Sequence, residues 1–160
     1  MGVMDSIVIV FQAFIICIII GNGLKFYIAL RRDIKKVSEN INSKTLQTDD
    51  MEIFSYTYRN VLVGFGSEFN YCKFYFYNDE VYFVGRNNFP QNLYSIPFIL
   101  KCKNESDYSY FSKYVITELE ILGNEMKIEF KHKKIIGTKF SLFIKNASAN
   151  DLQLLKGHLS

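Results

Sequence analysis

Apolar and polar positions fall into two regimes along this chain, and each predicts a different kind of structure. Residues 7–24, IVIVFQAFIICIIIGNGL, form 18 positions without a charge, and Gln12 and Asn22 are the only strongly polar side chains among them. Coiled as a helix, such a stretch extends roughly 27 Å, close to the ~30 Å hydrocarbon thickness of a bilayer. It is apolar on every face, unlike the one-sided stripe of a helix resting on a soluble core. Its β-branched residues matter little in lipid, where the backbone must bond internally. Beyond Lys25 the apolar character resumes over residues 26–30, with Lys25 able to snorkel and Tyr27 to sit at the interface. The pattern predicts a transmembrane helix over 7–30 behind a short tail, 1–6. A cleaved signal peptide fits less well, because residues 1–6 carry no Lys or Arg and no small-residue cleavage pattern follows the apolar run.

Residues 31–50 read as a basic juxtamembrane segment followed by a polar linker or stalk, SENINSKTLQTDD, into which helix can carry over from the anchor. From residue 51 to 160 the period changes to two. KFYFY (73–77) and EVYFV (80–84) predict a hairpin across Asn78-Asp79, closed by Gly85 and so rich in aromatics that it should be central or buried on both faces. A second hairpin joins 118–122 to 125–130 across Gly123-Asn124. Its two-residue loop pairs Ile121 with Met126 and Leu119 with Ile128 on one face and Glu120 with Lys127 on the other. Glu118 then opposes Glu129, with Lys127 and Lys131 on its diagonals to relieve the repulsion. Residues 94–102 predict a further strand in which Pro97 must lie at an edge, a start or a bulge. Residues 104–110 form a polar loop, 138–145 alternate as a strand, and 61–65 are a candidate first strand. At the end, Ser148 and Asp151 resemble a capping box, and Leu152, Leu155 and Leu159 recur at helical spacing. A helix over 149–159 is too short to persist alone and must dock its leucines on the sheet.

Composition adds that 160 residues, 49% hydrophobic and 22% charged, make one folded domain beside the apolar segment and not a disordered chain. Charge sets the orientation. Residues 1–36 hold five basic and two acidic side chains, which is the whole net charge of +3, so the remainder is neutral. The cationic flank Arg31, Arg32, Lys35 and Lys36 predicts a cytoplasmic domain with the N-terminus outside, and makes these four residues candidate contacts for anionic lipid. A plain stop-transfer flank accounts for them equally well. A neutral domain lacks the footprint of a nucleic-acid binder.

Candidate chemistry is sparse. Cys72 and Cys102 read as small apolar residues of a reducing compartment, with a disulfide as the alternative, and Cys17 lies within the apolar span. His132 reads as part of a solvated strand end and His158 as a helix-end cation. Asp49-Asp50 and Asp79-Glu80 read as a linker end and a turn in preference to a cation site. No nucleophile, phosphate-loop, zinc or dinucleotide motif occurs, and no cofactor is implied. Lys131, Lys133, Lys134 and Lys139 form a second, weaker candidate, a polyanion patch.

The hairpin 119–130, the strand 139–145 and the closing helix 150–159 together resemble the PH-like superfold of PH and GRAM-type domains. That resemblance implies a mainly β (α+β) domain of six or seven antiparallel strands forming a barrel, with the last helix plugging one end. The basic pattern of phosphoinositide-binding members is absent around the first hairpin, where Lys73 and Arg86 stand alone among aromatics. The expectation is a membrane-tethered, non-enzymatic binding or scaffolding module facing the cytoplasm, touching the bilayer and either a protein partner or anionic headgroups. The alternatives are an extracytoplasmic envelope protein with the anchor reversed, or a small membrane-bound hydrolase.

Overall fold

A computed structural model of the chain describes residues 3–42, 44–59, 63–65, 69–87, 94–109, 112–134 and 137–159. The N-terminal region is a single helix, α1 (Val3–Asn40). Every side chain from 7 to 28 is exposed, and the helix is long and apolar enough to cross a membrane, with none of that apolar window buried. The expected span 7–30 is therefore part of a longer rod.

The juxtamembrane segment from residue 31 continues α1, which runs on into the polar linker as far as Asn40. Asp33, Val37 and Asn40 recur on one face of α1 and meet the β domain, so the helix is carried through Asn40 by packing, which outweighs its polar composition. After a turn, β1 (Leu46–Gln47) pairs with Phe76 and Tyr75 toward the end of β4, and the buried Thr48 hydroxyl accepts the Phe74 N–H at 3.0 Å.

The β domain contains β2 (Met51–Arg59), β3 (Val63–Phe65), β4 (Tyr71–Tyr77), β5 (Glu80–Arg86), β6 (Phe98–Lys101), β7 (Tyr114–Leu122), β8 (Glu125–His132) and β9 (Thr138–Ile144), followed by α2 (Ala149–Leu159). The strand order is β6-β5-β4-β2-β9-β8-β7, all antiparallel, with β3 added to β2. β2 turns the corner. Its first two residues pair with β4, and the rest, from Ile53 on, pair with β9. The two ends of the ribbon approach at β6 and β7 through a lone parallel bridge, Ile99 to Lys113, so the sheet is a nearly closed barrel.

Sequence and register agree closely in the hairpins. Ile121 faces Met126, Leu119 faces Ile128, Glu120 faces Lys127 and Glu118 faces Glu129. Gly123 takes the φ of +65° that its turn requires, and Asn78 and Asp79 both lie in the left-handed region, the geometry that matches strand twist in a two-residue loop. Pro97 stands immediately before β6, where its missing N–H costs nothing. The candidate strand 61–65 survives as β3; residues 61 and 62 lie outside the described residues.

The barrel interior is aromatic. Phe74, Phe83, Phe98, Phe130 and Phe140 interlock with ring centroids 5.0–5.9 Å apart, each burial being worth about 2–3 kcal/mol. Leu152 and Leu155 of α2 plug one end. The Ser148 hydroxyl accepts the Asp151 N–H at 3.1 Å as the expected cap, while Asp151 turns its other oxygen to the Asp49 N–H. A second cluster, Val37, Tyr82, Ile99 and Tyr108, lies outside the barrel under α1. This is why β5 is buried on both faces from Glu80 to Phe83, whereas β4 alternates.

Candidate functional site

Two adjoining places among the described residues bring candidate polar side chains together. The first is the seat of α1. Asp33 is 2% exposed, and its Oδ2 accepts the Ser109 N–H at 2.9 Å, the Ser112 hydroxyl at 2.9 Å and the Ser109 hydroxyl. Arg32 lies 3.6 Å from the other carboxylate oxygen. One turn on, Lys36 lies over the Tyr108 ring at 4.6 Å and beside Asp107 at 3.6 Å. Two turns on, the Asn40 amide donates to the Tyr82 hydroxyl at 2.7 Å and to that of Tyr108 at 3.3 Å. Both hydroxyls donate to Glu80 Oε2, a carboxylate 6% exposed. Burial and then the Glu80 bond push the Tyr82 hydroxyl up to about 12, and burial pushes Tyr108 higher still. Asp33 Oδ2 and Glu80 Oε2 each gather several donors, while the buried Asp33 Oδ1 has no hydrogen-bond partner and only the Arg32 guanidinium nearby, so the seat is a structural lock.

The second place is a concavity of about 500 Å³ at the far ends of β7, β8 and β9, lined by Lys131, Lys133, Lys134, Lys139, Thr117 and Thr138. All four lysines of the expected polyanion patch are thus brought together. β8 and β9 place Lys131 directly opposite Lys139, and the register shift between Ile116 and Glu118 bulges Thr117 at its wall. Lys139 pairs with Glu129, and Lys133 and Lys113 pair with Glu105. Hydrogen bonding from Lys133 holds the Glu105 carboxyl below its usual range. Burial works against ionisation of Glu129, but the hydrogen bonds it accepts from Lys139 and the Ser141 hydroxyl prevail and hold it at about 2.

Two expectations change here, and that for His158 is extended. Lys131 does not relieve the Glu118–Glu129 opposition. Lys127 does, at 2.9 and 3.4 Å, aided by Lys139, because Lys131 lines the concavity instead. His132 is not solvated: it is 4% exposed, set against the Tyr114 ring, with its Nδ1 accepting the Lys134 N–H at 3.1 Å, since inward positions of β8 alternate through Phe130 to His132. His158 stacks on Phe76 at 4.5 Å, so it caps packing as well as a helix end.

The juxtamembrane four are not one patch. Arg31 turns back over Tyr27, Arg32 neighbours Asp33, Lys35 meets Glu39 at 3.9 Å, and Lys36 faces the barrel. Sequence reasoning missed the lock. Its signal was Asp33 standing alone in a basic run at helical spacing from Val37 and Asn40. Among the described residues no group of three His, Cys, Asp or Glu could hold a metal ion. Comparison of the chain with protein-family models, curated proteins and solved structures finds no match.

Proposed function

We propose that this chain is a single-pass membrane protein whose PH-like barrel serves as a non-enzymatic binding module on the cytoplasmic side. The observation that carries the reading is the continuity of α1. One helix joins an apolar stretch with no covered face to a locked seat on the barrel wall. A soluble protein has no use for 22 consecutive exposed positions of this composition, 7 to 28, on a rod fixed to its own domain.

The PH-like part rests on topology. Seven strands run as a meander whose first and last members pair, and a terminal helix closes one end. The cytoplasmic part rests on the cationic flank and on the cysteines. Cys72 and Cys102 are free and belong to different clusters, the barrel core and the rim of the α1 seat.

Carbonate extraction of cell membranes, combined with a membrane-impermeant maleimide on Gln153→Cys, tests both parts. The expected result is retention in the membrane and labelling of the new thiol only after permeabilisation, with the wild-type chain as background. Release by carbonate would refute the anchor, and labelling in intact cells would place the barrel outside.

A further inference from the structure

We infer that the lysine-lined concavity binds the phosphate groups of anionic lipid in the leaflet α1 emerges from, so that the barrel gathers such lipid beside its own anchor. This rests on the membrane-spanning reading of α1. Three observations carry it.

The first is position. α2 closes one barrel end, where β8 starts beside it: the Ala147 N–H bonds the Asn124 carbonyl at 3.0 Å. β4 also finishes there, with Phe76 against His158. Asn40 touches Glu80, just past the β4–β5 turn at that same end, so moving from Asn40 back to Asp33 runs away from α2 and toward the apolar stretch. β8 runs the same way and finishes at His132, beside the concavity. The connection to the rod is short. Asp33 holds Ser112, the next residue Lys113 accepts the Lys133 N–H at 3.0 Å, and Lys133 lines the site. The concavity is therefore on the barrel end nearest the bilayer.

The second is charge. The lysines in and around the site are 113, 127, 131, 133, 134 and 139, and the carboxylates facing them are Glu105, Glu118 and Glu129, a surplus of three positive charges. The domain as a whole is neutral, so this surplus is local.

The third is register. Lys131 and Lys139 are a directly opposed like-charge pair, an arrangement that costs stability in a ladder. Of these two lysines, Glu129 answers Lys139 and not Lys131. Among the described residues neither Lys131 nor Lys134 has an ion pair within 4 Å. An anion between the two lysine side chains completes the set, and the Thr138 hydroxyl on the wall can donate to a phosphate oxygen, the Thr117 hydroxyl being committed to the Glu129 carbonyl at 3.2 Å.

The test uses the full chain reconstituted from a mixture of phosphatidylcholine and phosphatidylglycerol, with the lipid retained after mild detergent extraction analysed by mass spectrometry. The wild-type chain should retain phosphatidylglycerol well above its share of the mixture. Lys131→Gln with Lys134→Gln should reduce that enrichment by about tenfold. Both are exposed side chains, and unchanged near-ultraviolet circular dichroism verifies the fold. Arg31→Gln with Arg32→Gln should leave most of the enrichment in place. Equal retention of both lipids by the wild-type chain, or loss only in the arginine variant, would overturn the inference while leaving the anchor intact. Binding of inorganic phosphate that abolishes the enrichment at physiological concentrations would also overturn it, by making the ligand a soluble anion. Failure of the chain to incorporate into bilayers at all would defeat the anchor first and this inference with it.

Discussion

The Asn40 amide lies 2.7 Å from the Tyr82 hydroxyl, tying the last residue of the 38-residue helix to the centre of the first barrel hairpin. Together with Asp33 on Ser109 and Ser112, it makes the helix and the barrel one body. Asp33→Ala with Asn40→Ala should leave both parts folded and separate them. Removing the carboxylate orphans three donors, and each change should cost about 1–3 kcal/mol of docking. Spin labels on Ser38→Cys and Gln153→Cys should give one narrow distance in the otherwise native chain and a broad distribution in the double variant. A narrow distribution in both would show that the apolar contacts of Val37 suffice.

Gly85 is required for a reason other than its backbone angles. A Cβ there would come within 2.8 Å of Phe69 Cδ2 and closer to two other ring carbons. Phe69 is itself fixed, since its N–H and carbonyl both bond the buried Ser55 hydroxyl, at 2.7 and 3.0 Å. Gly85→Ala should destabilise the barrel by about 1–3 kcal/mol in thermal unfolding. Adding Phe69→Leu should recover part of that loss, and no recovery would mean that the clash is not the cause.

Glu129 makes the acid limb of stability. Its carboxyl is held at about 2 against an ordinary value of 4.5, so the unfolded chain binds the proton first as the pH falls. The stabilisation is complete above pH 4.5 and is lost as the pH drops toward 2. At neutral pH Glu129→Gln should cost about 1–2 kcal/mol, a value reduced for partial solvation of its lysine partners. Denaturant titrations of the two chains should converge at the acid end. A gap independent of pH would assign the loss to packing.

Thiol reactivity should separate the two domain cysteines. Cys72 is fully buried, and that burial pushes its thiol far up; Cys102 is half-buried and raised first by burial and then by Glu105. Maleimide should modify Cys102 slowly and Cys72 only on unfolding. Reaction of both at one rate in the native state would contradict the core placement of Cys72.

Much of the barrel could be read from local pattern. The 118–130 hairpin carried register, turn and charge in one short segment, and the Ser148 cap and the leucines of α2 were equally local. β2 was overlooked, although it is the longest-reaching strand of the sheet, because MEIFSYTYR alternates with Ser55 and Thr57 at its inward positions. Its burial is defined by partners β4 and β9 that lie far along the chain. His132 went the same way, since flanking lysines hid an inward position that only the strand register shows. The lysine concavity was half legible. The residues were named by their clustering, but their common hollow depends on the Thr117 bulge and the β8–β9 register. Polar contacts across 40 to 79 positions, such as those of Asp33 and Asn40, leave only a faint spacing in the sequence.

The unbroken rod has a consequence for reach. With no slack between residue 30 and the barrel wall, Asn40 stands about 15 Å beyond the apolar span along the helix axis. Under the proposed insertion the domain works at one elevation above the lipid, like a lamp on a post instead of a float on a line. It can sweep around its axis and drift in the plane. A target held higher than this post would stay out of range however abundant it became.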